Sequence, residues 1–206
     1  MFTGIIEEIG KVKKIGNNKL IIEFNKISNI NLGDSIAVNG VCLTVQDFGG
    51  DFFESSVMPV TWQKTSFSCL KIRDKVNLER AVKPEGFMGG HFVLGHVDGI
   101  GKVLKKNRDS NAVRLTIAFP KELSCYFVRQ GPVSVDGVSL TIAELGKDFF
   151  VVSLVAQTIK TTNLGNRKEG DILNLEVDIL AKYVKKMLSQ KEGKVIDSDF
   201  LKSCGY

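Results

Sequence analysis

The 206-residue chain lacks the sequence patterns of membrane-spanning, secreted and zinc-ribbon proteins. It contains no run of 18 apolar residues, so we expect no transmembrane helix and no membrane partner. The first ten residues, MFTGIIEEIG, have no basic n-region and therefore do not resemble a secretory signal, which favours a cytoplasmic protein. The four cysteines include no C-x-x-C pair, which argues against a zinc ribbon and favours free thiols.

Dense basic clusters are also missing, although the net charge is +5. A tandem-barrel protein that binds nucleic acid would present stacking aromatic side chains on an open sheet face. The candidate strand faces described below offer Cys, Ser and Thr instead. We therefore interpret the positive charge as a solvated surface and expect no nucleic-acid partner.

An internal repeat organises the chain. The segment VNGVCLTV at 38–45 returns as VDGVSLTI at 135–142, an offset of 97 residues that needs no gap from 36 to 178. Nearer the N-terminus the offset falls to 91, where TGIIEEIGKV (3–12) matches LGHVDGIGKV (94–103). A repeat of about 90 residues has the size of a small domain, so the chain is two copies of one fold.

Short β-branched and aromatic runs separated by turn signals fill both copies, which predicts an all-β protein of two tandem six-stranded antiparallel barrels. We place the barrels at 1–90 and 91–178, an α-helix at 179–190 and a mobile tail at 191–206. Short helical turns are predicted at 62–67 and 159–164. Five apolar residues share one face of the long helix: Leu180, Tyr183, Val184, Met187 and Leu188. This face packs either on a barrel wall or on the same helix of other subunits.

The repeated strand presents two faces, because side chains alternate along a strand. Its apolar residues form the core face, and Cys42 with Thr44, or Ser139 with Thr141, form the other. Two small polar groups side by side can hydrogen-bond a flat ligand, although a solvated strand face would look the same. Two like ligands could react where a first-copy face meets a second-copy face, with Cys42 as the reactive group.

The two histidines belong to one copy only. His96 falls opposite Ile5 of the first copy and is a candidate for proton transfer. His91 directly follows the segment KPEGFMGG (83–90), and we interpret both as parts of an interdomain linker. Two histidines five residues apart on a strand point to opposite faces, so we predict no metal site.

The motifs MFTGII, NGVCLTV, GGHFVLGHVDG and VDGVSLT together resemble the riboflavin synthase family of the α-chain type, from Met1 to about Met187. The resemblance implies a transferase without metal or cofactor. Such an enzyme converts two molecules of 6,7-dimethyl-8-ribityllumazine into riboflavin and 5-amino-6-(D-ribitylamino)uracil by four-carbon transfer, the last step of riboflavin biosynthesis. The resemblance also implies Greek-key barrels and a homotrimer held largely by the C-terminal helices. An association with lumazine synthase is possible and stays open.

The resemblance further implies an active site for two lumazines, between the first barrel of one subunit and the second barrel of a neighbour. His96 would handle protons, Ser35 and Cys42 would activate a nucleophile, and Phe2 would cover the ring. The first-barrel side is Gly4, Ile5, Ile6, Cys42, Leu43, Thr44, Ser56, Val57, Met58, Pro59, Val60 and Thr61. The second-barrel side is Gly95, His96, Val97, Gln130, Ser139, Leu140, Thr141, Leu154, Val155, Ala156, Gln157, Thr158 and Ile159.

Some positions depart from the family pattern. Gln130, next to Arg129, stands where many relatives have a basic residue, and Val60 and Gln157 stand where the family often has an acidic one. Substrate contacts at these positions are therefore expected to differ.

The main alternative is a non-catalytic lumazine- or flavin-binding antenna protein of the same fold. An antenna protein would have no reason to keep the whole set of Ser35, Cys42, His96 and Thr141. All four are present, which favours the enzyme.

Overall fold

A computed structural model describes residues 1–109 and 112–191 of the chain, and it contains two β-rich repeats followed by a helix. The strands of the first repeat are β1 (Glu8–Gly16), β2 (Lys19–Glu23), β3 (Ser35–Val38), β4 (Val41–Thr44), β5 (Asp47–Phe48), β6 (Phe52–Ser56) and β7 (Lys75–Arg80). The strands of the second are β8 (Gly99–Asp109), β9 (Ala112–Ala118), β10 (Pro132–Val135), β11 (Val138–Leu145), β12 (Phe149–Leu154) and β13 (Ile172–Val177). The helices are α1 (Pro59–Lys64), α2 (Ala156–Thr161) and α3 (Ile179–Lys191), with 3-10 turns at Ser66–Cys69, Lys121–Tyr126 and Asn163–Asn166.

The second repeat is a closed antiparallel barrel in the order β10-β11-β12-β9-β8-β13. The first repeat has the same order, β4-β3-β7-β1-β2-β6-β5, but its sheet ends at β4 and β5. These end strands follow one another in the chain and together match the continuous β11. Gln46, between them, donates its backbone N–H to the carbonyl of Glu54 at 2.9 Å, so the chain itself joins the two ends. The predicted all-β fold of two homologous barrels is confirmed, with the first repeat closed less regularly.

Burial along the repeated strand confirms the predicted division into two faces. Val41 and Leu43 of β4 are buried in the core of the first repeat, whereas Cys42 is half-buried and Thr44 exposed. β11 shows the same alternation from Val138 to Thr141. The polar pairs therefore lie on the outer surfaces of the barrels.

The two repeats meet at matching hairpin turns related by a pseudo-two-fold axis. Gly40 and Gly137 have φ of +77° and +80°, and a Cβ on either would lie 2.7 Å from the backbone nitrogen of the other. Only glycine allows this approach of two backbones. The Asn77 side chain donates to the carbonyl of Asp136 at 2.9 Å, and Asn174 donates to the carbonyl of Asn39 at 2.8 Å. Reciprocal bonds thus fix the two barrels relative to each other.

Helix α3 confirms the predicted C-terminal helix, and its polar side is attached to the second barrel. Lys182 pairs with Asp98 at 2.5 Å, and Lys185 lies 4.5 Å from the centre of the Tyr126 ring. The predicted apolar face stays 56–66% exposed in the chain, so it does not pack on a barrel wall. No helix in the described ranges is long and apolar enough to span a membrane. The part of the predicted tail beyond Lys191 lies outside the described residues.

Candidate functional site

The leading segment of each repeat lies on the strand face of the other repeat. The Gly4 carbonyl accepts the Ser139 N–H at 2.8 Å, and the Gly95 carbonyl accepts the Cys42 N–H at 3.0 Å. Consistently, Ile6 packs against the core of the second repeat and Val97 against the core of the first.

This exchange corrects the predicted grouping of the site. Gly4, Ile5 and Ile6 belong with Ser139, and the segment 95–97 belongs with Cys42. Matching sequence identifies equivalent segments, but it does not say on which barrel each one docks. The connections are long enough for either arrangement, so the packing contacts decide.

Two buried glutamates hold the exchanged segments. The Glu79 carboxylate accepts the backbone N–H of Thr3 at 2.6 Å and of Gly4 at 3.0 Å. The Glu176 carboxylate accepts the N–H of Leu94 at 2.7 Å and of Gly95 at 3.0 Å. Neither residue was predicted from the sequence, although the two end the segments VNLE (76–79) and LNLE (173–176), which match at the offset of 97. Each glutamate therefore positions a segment that lies on the polar strand face of the opposite barrel.

Burial raises the pKa of the Glu79 carboxyl and raises that of Glu176 to about 7, although the backbone N–H donors oppose this shift. For Glu176, Asp98 raises the pKa further and Lys182 lowers it. The proton on Glu176 is thus held more tightly in the folded chain than in the unfolded one. Its contribution to stability is complete below the unfolded pKa and is lost as pH rises through about 7.

The substitution Glu176→Gln is expected to reduce this pH dependence. The melting temperature of the parent protein should fall between pH 5 and pH 8 more steeply than that of the variant, because glutamine does not titrate. Scanning calorimetry across this range tests the expectation, with Glu85→Gln at an exposed position as the control. Equal pH slopes for the parent and Glu176→Gln would contradict it.

Close backbone approach at both sites depends on glycine. A Cβ on Gly95 would lie 2.6 Å from the Cβ of Cys42, and a Cβ on Gly4 would lie 2.6 Å from that of Ser139. Both glycines have φ near +80°, a region that side chains rarely adopt. The exchanged segments consequently lie flat against Cys42 and Ser139 and leave Thr44 and Thr141 exposed beside them.

His91 lies against Ser139 rather than in a free linker, which is a second correction. Its Nδ1 is 2.7 Å from the Ser139 hydroxyl oxygen, and its buried Nε2 has no hydrogen-bond partner among residues 1–109 and 112–191. Burial lowers the pKa of His91 despite the opposing charge of Asp178, which favours the neutral imidazole. His96, in contrast, is exposed, and its backbone N–H is 3.2 Å from Glu176. The glycine-rich stretch before His91 gave no sequence signal for its contact.

Phe2 lies under the site instead of over it, which corrects its predicted role as a cover. Its backbone pairs with Val93 through bonds of 2.7 and 3.1 Å, and its ring is fully buried beside Ala37 and Cys42. A Cβ on Gly95 would also approach this ring to 3.0 Å. Phe2 therefore supports Cys42 and the segment that crosses it.

The segments after β6 and β12 flank the two polar faces. Ser56 donates to the side-chain oxygen of Gln46 at 2.6 Å, two residues beyond Thr44. Ser35 pairs with Thr44 across β3 and β4 and shares its face. Gln130 lies next to β11 and donates its backbone N–H to the carbonyl of Ile142 in that strand. The structure therefore assembles two matching surfaces, one on each barrel.

Four predicted substrate contacts have side chains in the barrel cores: Leu43, Val57, Leu140 and Leu154. Only their backbone groups can reach the surface, because neighbouring residues on a strand alternate between the faces. Other members of these segments are exposed: Ile5, Met58, Pro59, Val60, Val155, Ala156 and Gln157. Thr61, Thr158 and Ile159 are half-buried within the short helices α1 and α2.

A comparison with protein families agrees with this duplicated architecture. The lumazine binding domain family matches residues 3–81 and 94–178, one match for each repeat. The chain is therefore a tandem lumazine-binding-domain protein.

Full-length relatives define the family more narrowly. The riboflavin synthase of Actinobacillus pleuropneumoniae is 41% identical over 215 aligned residues, and that of Bacillus subtilis (strain 168) is 42% identical over 215, each alignment covering 100% of both chains. The chain belongs to the riboflavin synthase family, and it is an enzyme, as the motif resemblance predicted.

Solved structures of LumP share the fold. LumP complexed with 6,7-dimethyl-8-(1'-D-ribityl) lumazine aligns with a TM-score of 0.78 at 28% identity, and LumP complexed with riboflavin with 0.79 at 29%. Each alignment covers 86% of this chain and 99% of the LumP chain. Lumazine and flavin ligands are thus bound by structural neighbours.

Proposed function

We propose that this enzyme converts two molecules of 6,7-dimethyl-8-ribityllumazine into riboflavin and 5-amino-6-(D-ribitylamino)uracil by moving a four-carbon unit. The observation that carries the proposal is the pair of matching surfaces, each with two small polar groups on a barrel. Two like surfaces suit two copies of one reactant. Their unequal residues, Cys42 on one and Ser139 with His91 on the other, suit unequal roles for the two copies.

The chemistry begins with loss of a proton from the 7-methyl group of one lumazine, whose carbanion delocalises into the ring. The anion then attacks the second lumazine, which has been made electrophilic by addition of a nucleophile at its ring. His96 is the candidate for proton handling, and it lies with Gly95 beside the first surface. Ser35 and Cys42, on the outer face of the same barrel, are candidates for activating the nucleophile.

The second surface would hold the other lumazine through hydrogen bonds. Ser139 and Thr141 offer hydroxyl groups on one face of β11, and Gln130 lies beside them. We infer that the neutral His91 orients the Ser139 hydroxyl, because the two groups are 2.7 Å apart. Holding two large reactants face to face can itself supply several orders of magnitude of rate.

We further propose that the reacting pair forms between subunits of a homotrimer. Both surfaces are open on the outside of one chain, and the exposed apolar face of α3 is suited to contacts between subunits. The first barrel of one subunit would then face the second barrel of its neighbour. An association with lumazine synthase and a cytoplasmic location stay predictions.

Incubation of the purified protein with the lumazine tests the proposed activity. Flavin fluorescence should grow while lumazine absorbance falls, with one riboflavin formed for two lumazines consumed. Stoichiometric binding without a change in the ligand would instead favour the non-catalytic antenna protein.

Cys42→Ser is expected to keep partial activity, whereas Phe2→Ala should be more harmful. Serine keeps the size and polarity of residue 42. Removing the buried Phe2 ring leaves a cavity, which typically costs about 3–5 kcal/mol of stability and would displace the segment above Cys42. Steady-state kinetics and thermal melting measure both effects, with exposed Cys69→Ser as the control. Parent rates for both variants would contradict the assigned roles.

A further inference from the structure

The two buried glutamates occupy equivalent positions in the repeats, but the donors around them differ. Glu79 accepts hydrogen bonds from the backbone N–H groups of Thr3 and Gly4 and also from the Thr3 hydroxyl at 2.8 Å. Glu176 accepts three hydrogen bonds, all from backbone N–H groups, because Leu94 stands where the first repeat has Thr3. This difference changes what each carboxyl group can do with a proton.

A proton on Glu79 has an acceptor beside it. The Thr3 hydroxyl can turn and accept a hydrogen bond from the neutral carboxyl, because a hydroxyl group both donates and accepts. The backbone N–H groups of Thr3 and Gly4 keep the remaining lone pairs of the carboxyl as acceptors. The segment that begins the first repeat can therefore stay attached to Glu79 in both protonation states.

Around Glu176, in contrast, every hydrogen-bond partner in the described ranges is an N–H donor. One carboxyl oxygen faces the N–H of Leu94 at 2.7 Å. The other faces the N–H of Gly95 at 3.0 Å and that of His96 at 3.2 Å. An N–H group cannot accept a hydrogen bond, so a proton on either oxygen displaces at least one of these contacts.

The segment 94–97 is held from both barrels. The Gly95 N–H points to Glu176 of the second barrel, and the Gly95 carbonyl accepts the N–H of Cys42 in the first barrel at 3.0 Å. Val97 packs against the core of the first repeat. Loss of the bonds to Glu176 would leave the segment attached on the Cys42 side only and free to shift across this surface.

Two charged groups of the described chain act on Glu176. Asp98, which precedes β8, raises its pKa, and Lys182 of α3 lowers it, while the two groups pair with each other at 2.5 Å. Burial is the largest influence and raises the pKa of Glu176 to about 7. His96 contributes its backbone N–H, and its side chain is exposed. The carboxyl group therefore changes its charge near neutral pH.

We propose that Glu176 is the positioning residue of the first surface: its ionised carboxylate holds the segment 94–97 over Cys42, and its protonation releases this segment. The catalytic part of the proposal rests on the proposed function, because the segment carries His96. The ionisation that assembles the surface also costs stability, since the folded chain holds the proton of Glu176 more tightly than the unfolded chain. Order in this segment and stability of the whole fold should thus change in opposite directions with pH.

Hydrogen exchange of single amides, followed by NMR, tests the contact without any lumazine. The protection of the Leu94, Gly95 and His96 amides should rise at least roughly tenfold between pH 5 and pH 8, a gain typical of a hydrogen bond to a charged group. Protection of the Thr3 and Gly4 amides should change less. Glutamine resembles the neutral acid, so Glu176→Gln should show low protection at 94–96 throughout this range.

Turnover of the lumazine tests the consequence for the reaction. At pH 8 the variant Glu176→Gln should be at least roughly tenfold slower than the parent, whereas at pH 5 the two rates should be similar. The ratio of the two rates isolates Glu176, because other titrating groups affect both proteins. A purely structural role would lower the rate of the variant by the same factor at every pH.

Three further variants complete the test. Glu176→Asp keeps the charge on a shorter side chain and should retain the pH dependence of the parent. Glu79→Gln should differ from the parent by a factor that stays nearly constant with pH, and Glu85→Gln at an exposed position should match the parent. A constant ratio for Glu176→Gln, or protection at 94–96 that does not change with pH, overturns the proposal. A parent protein that shows the change in protection but no turnover would overturn the proposed function and leave the positioning contact in place.

Discussion

Gly95→Ala is expected to lower the rate of riboflavin formation by roughly a hundredfold or more. The new Cβ would lie 2.6 Å from the Cβ of Cys42 and 3.0 Å from its backbone nitrogen, a contact that forces the crossing segment away. A displacement of about 1 Å at a reacting site is sufficient for such a loss. Steady-state turnover of the lumazine measures the effect, and circular dichroism checks that the variant is folded.

Gly170→Ala is the matched control, because Gly170 also has a positive φ of +93°. A methyl group added there would meet no described atom within 4 Å, so only backbone strain of about 1–2 kcal/mol is expected. The control should therefore melt somewhat earlier and turn over at the parent rate. If Gly95→Ala were as active as Gly170→Ala, the close contact between residue 95 and Cys42 would have no catalytic importance.

Tyr183→Glu/Met187→Glu on α3 is expected to yield monomers with at least roughly a hundredfold less activity. In the proposed homotrimer, charges on the exposed apolar face would be buried at the contact between subunits, where an unpaired carboxylate is strongly unfavourable. Without a neighbour, the first and second surfaces of different chains could not meet, and the proximity contribution would be lost. Sedimentation velocity and turnover at matched protein concentrations measure the two effects.

The double substitution Lys186→Glu/Ser189→Glu provides the control on the same helix. These two exposed residues lie off the apolar face, so the assembly and the rate should change little. A Tyr183→Glu/Met187→Glu protein that is monomeric and fully active would show that one chain contains the whole reaction site.

The sequence was sufficient for features that local patterns determine. Alternation in β4 and β11 predicted which side chains face the cores, and the offset of 97 residues predicted two homologous barrels. The two short helices begin three residues earlier in the chain than predicted. α1 begins at Pro59 instead of 62, because proline at the first helical position needs no hydrogen-bond partner.

Long-range contacts account for what the sequence did not predict. The docking of residues 3–6 and 94–97 on opposite barrels depends on Glu79 and Glu176, each about 80 residues away from the backbone groups that it binds. His91 contacts Ser139 across 48 positions. The periodicity of a short window cannot reveal such contacts. His91, which contacts Ser139, was therefore assigned to a linker, and the segment 95–97, which lies on Cys42, was assigned to the second-barrel side of the site.

The exchanged leading segments make the two halves of the polypeptide interlocked partners. Residues 83–90 are the exposed covalent bridge between them, yet each half also donates its first residues to the other half's outer wall. A chain nicked within this bridge would remain one particle under native conditions, because backbone bonds and buried carboxylates still hold the halves together. Either half expressed alone would leave uncovered the strand face on which the leading segment of the other half lies. A second copy of the same half could cover this face with its own leading segment.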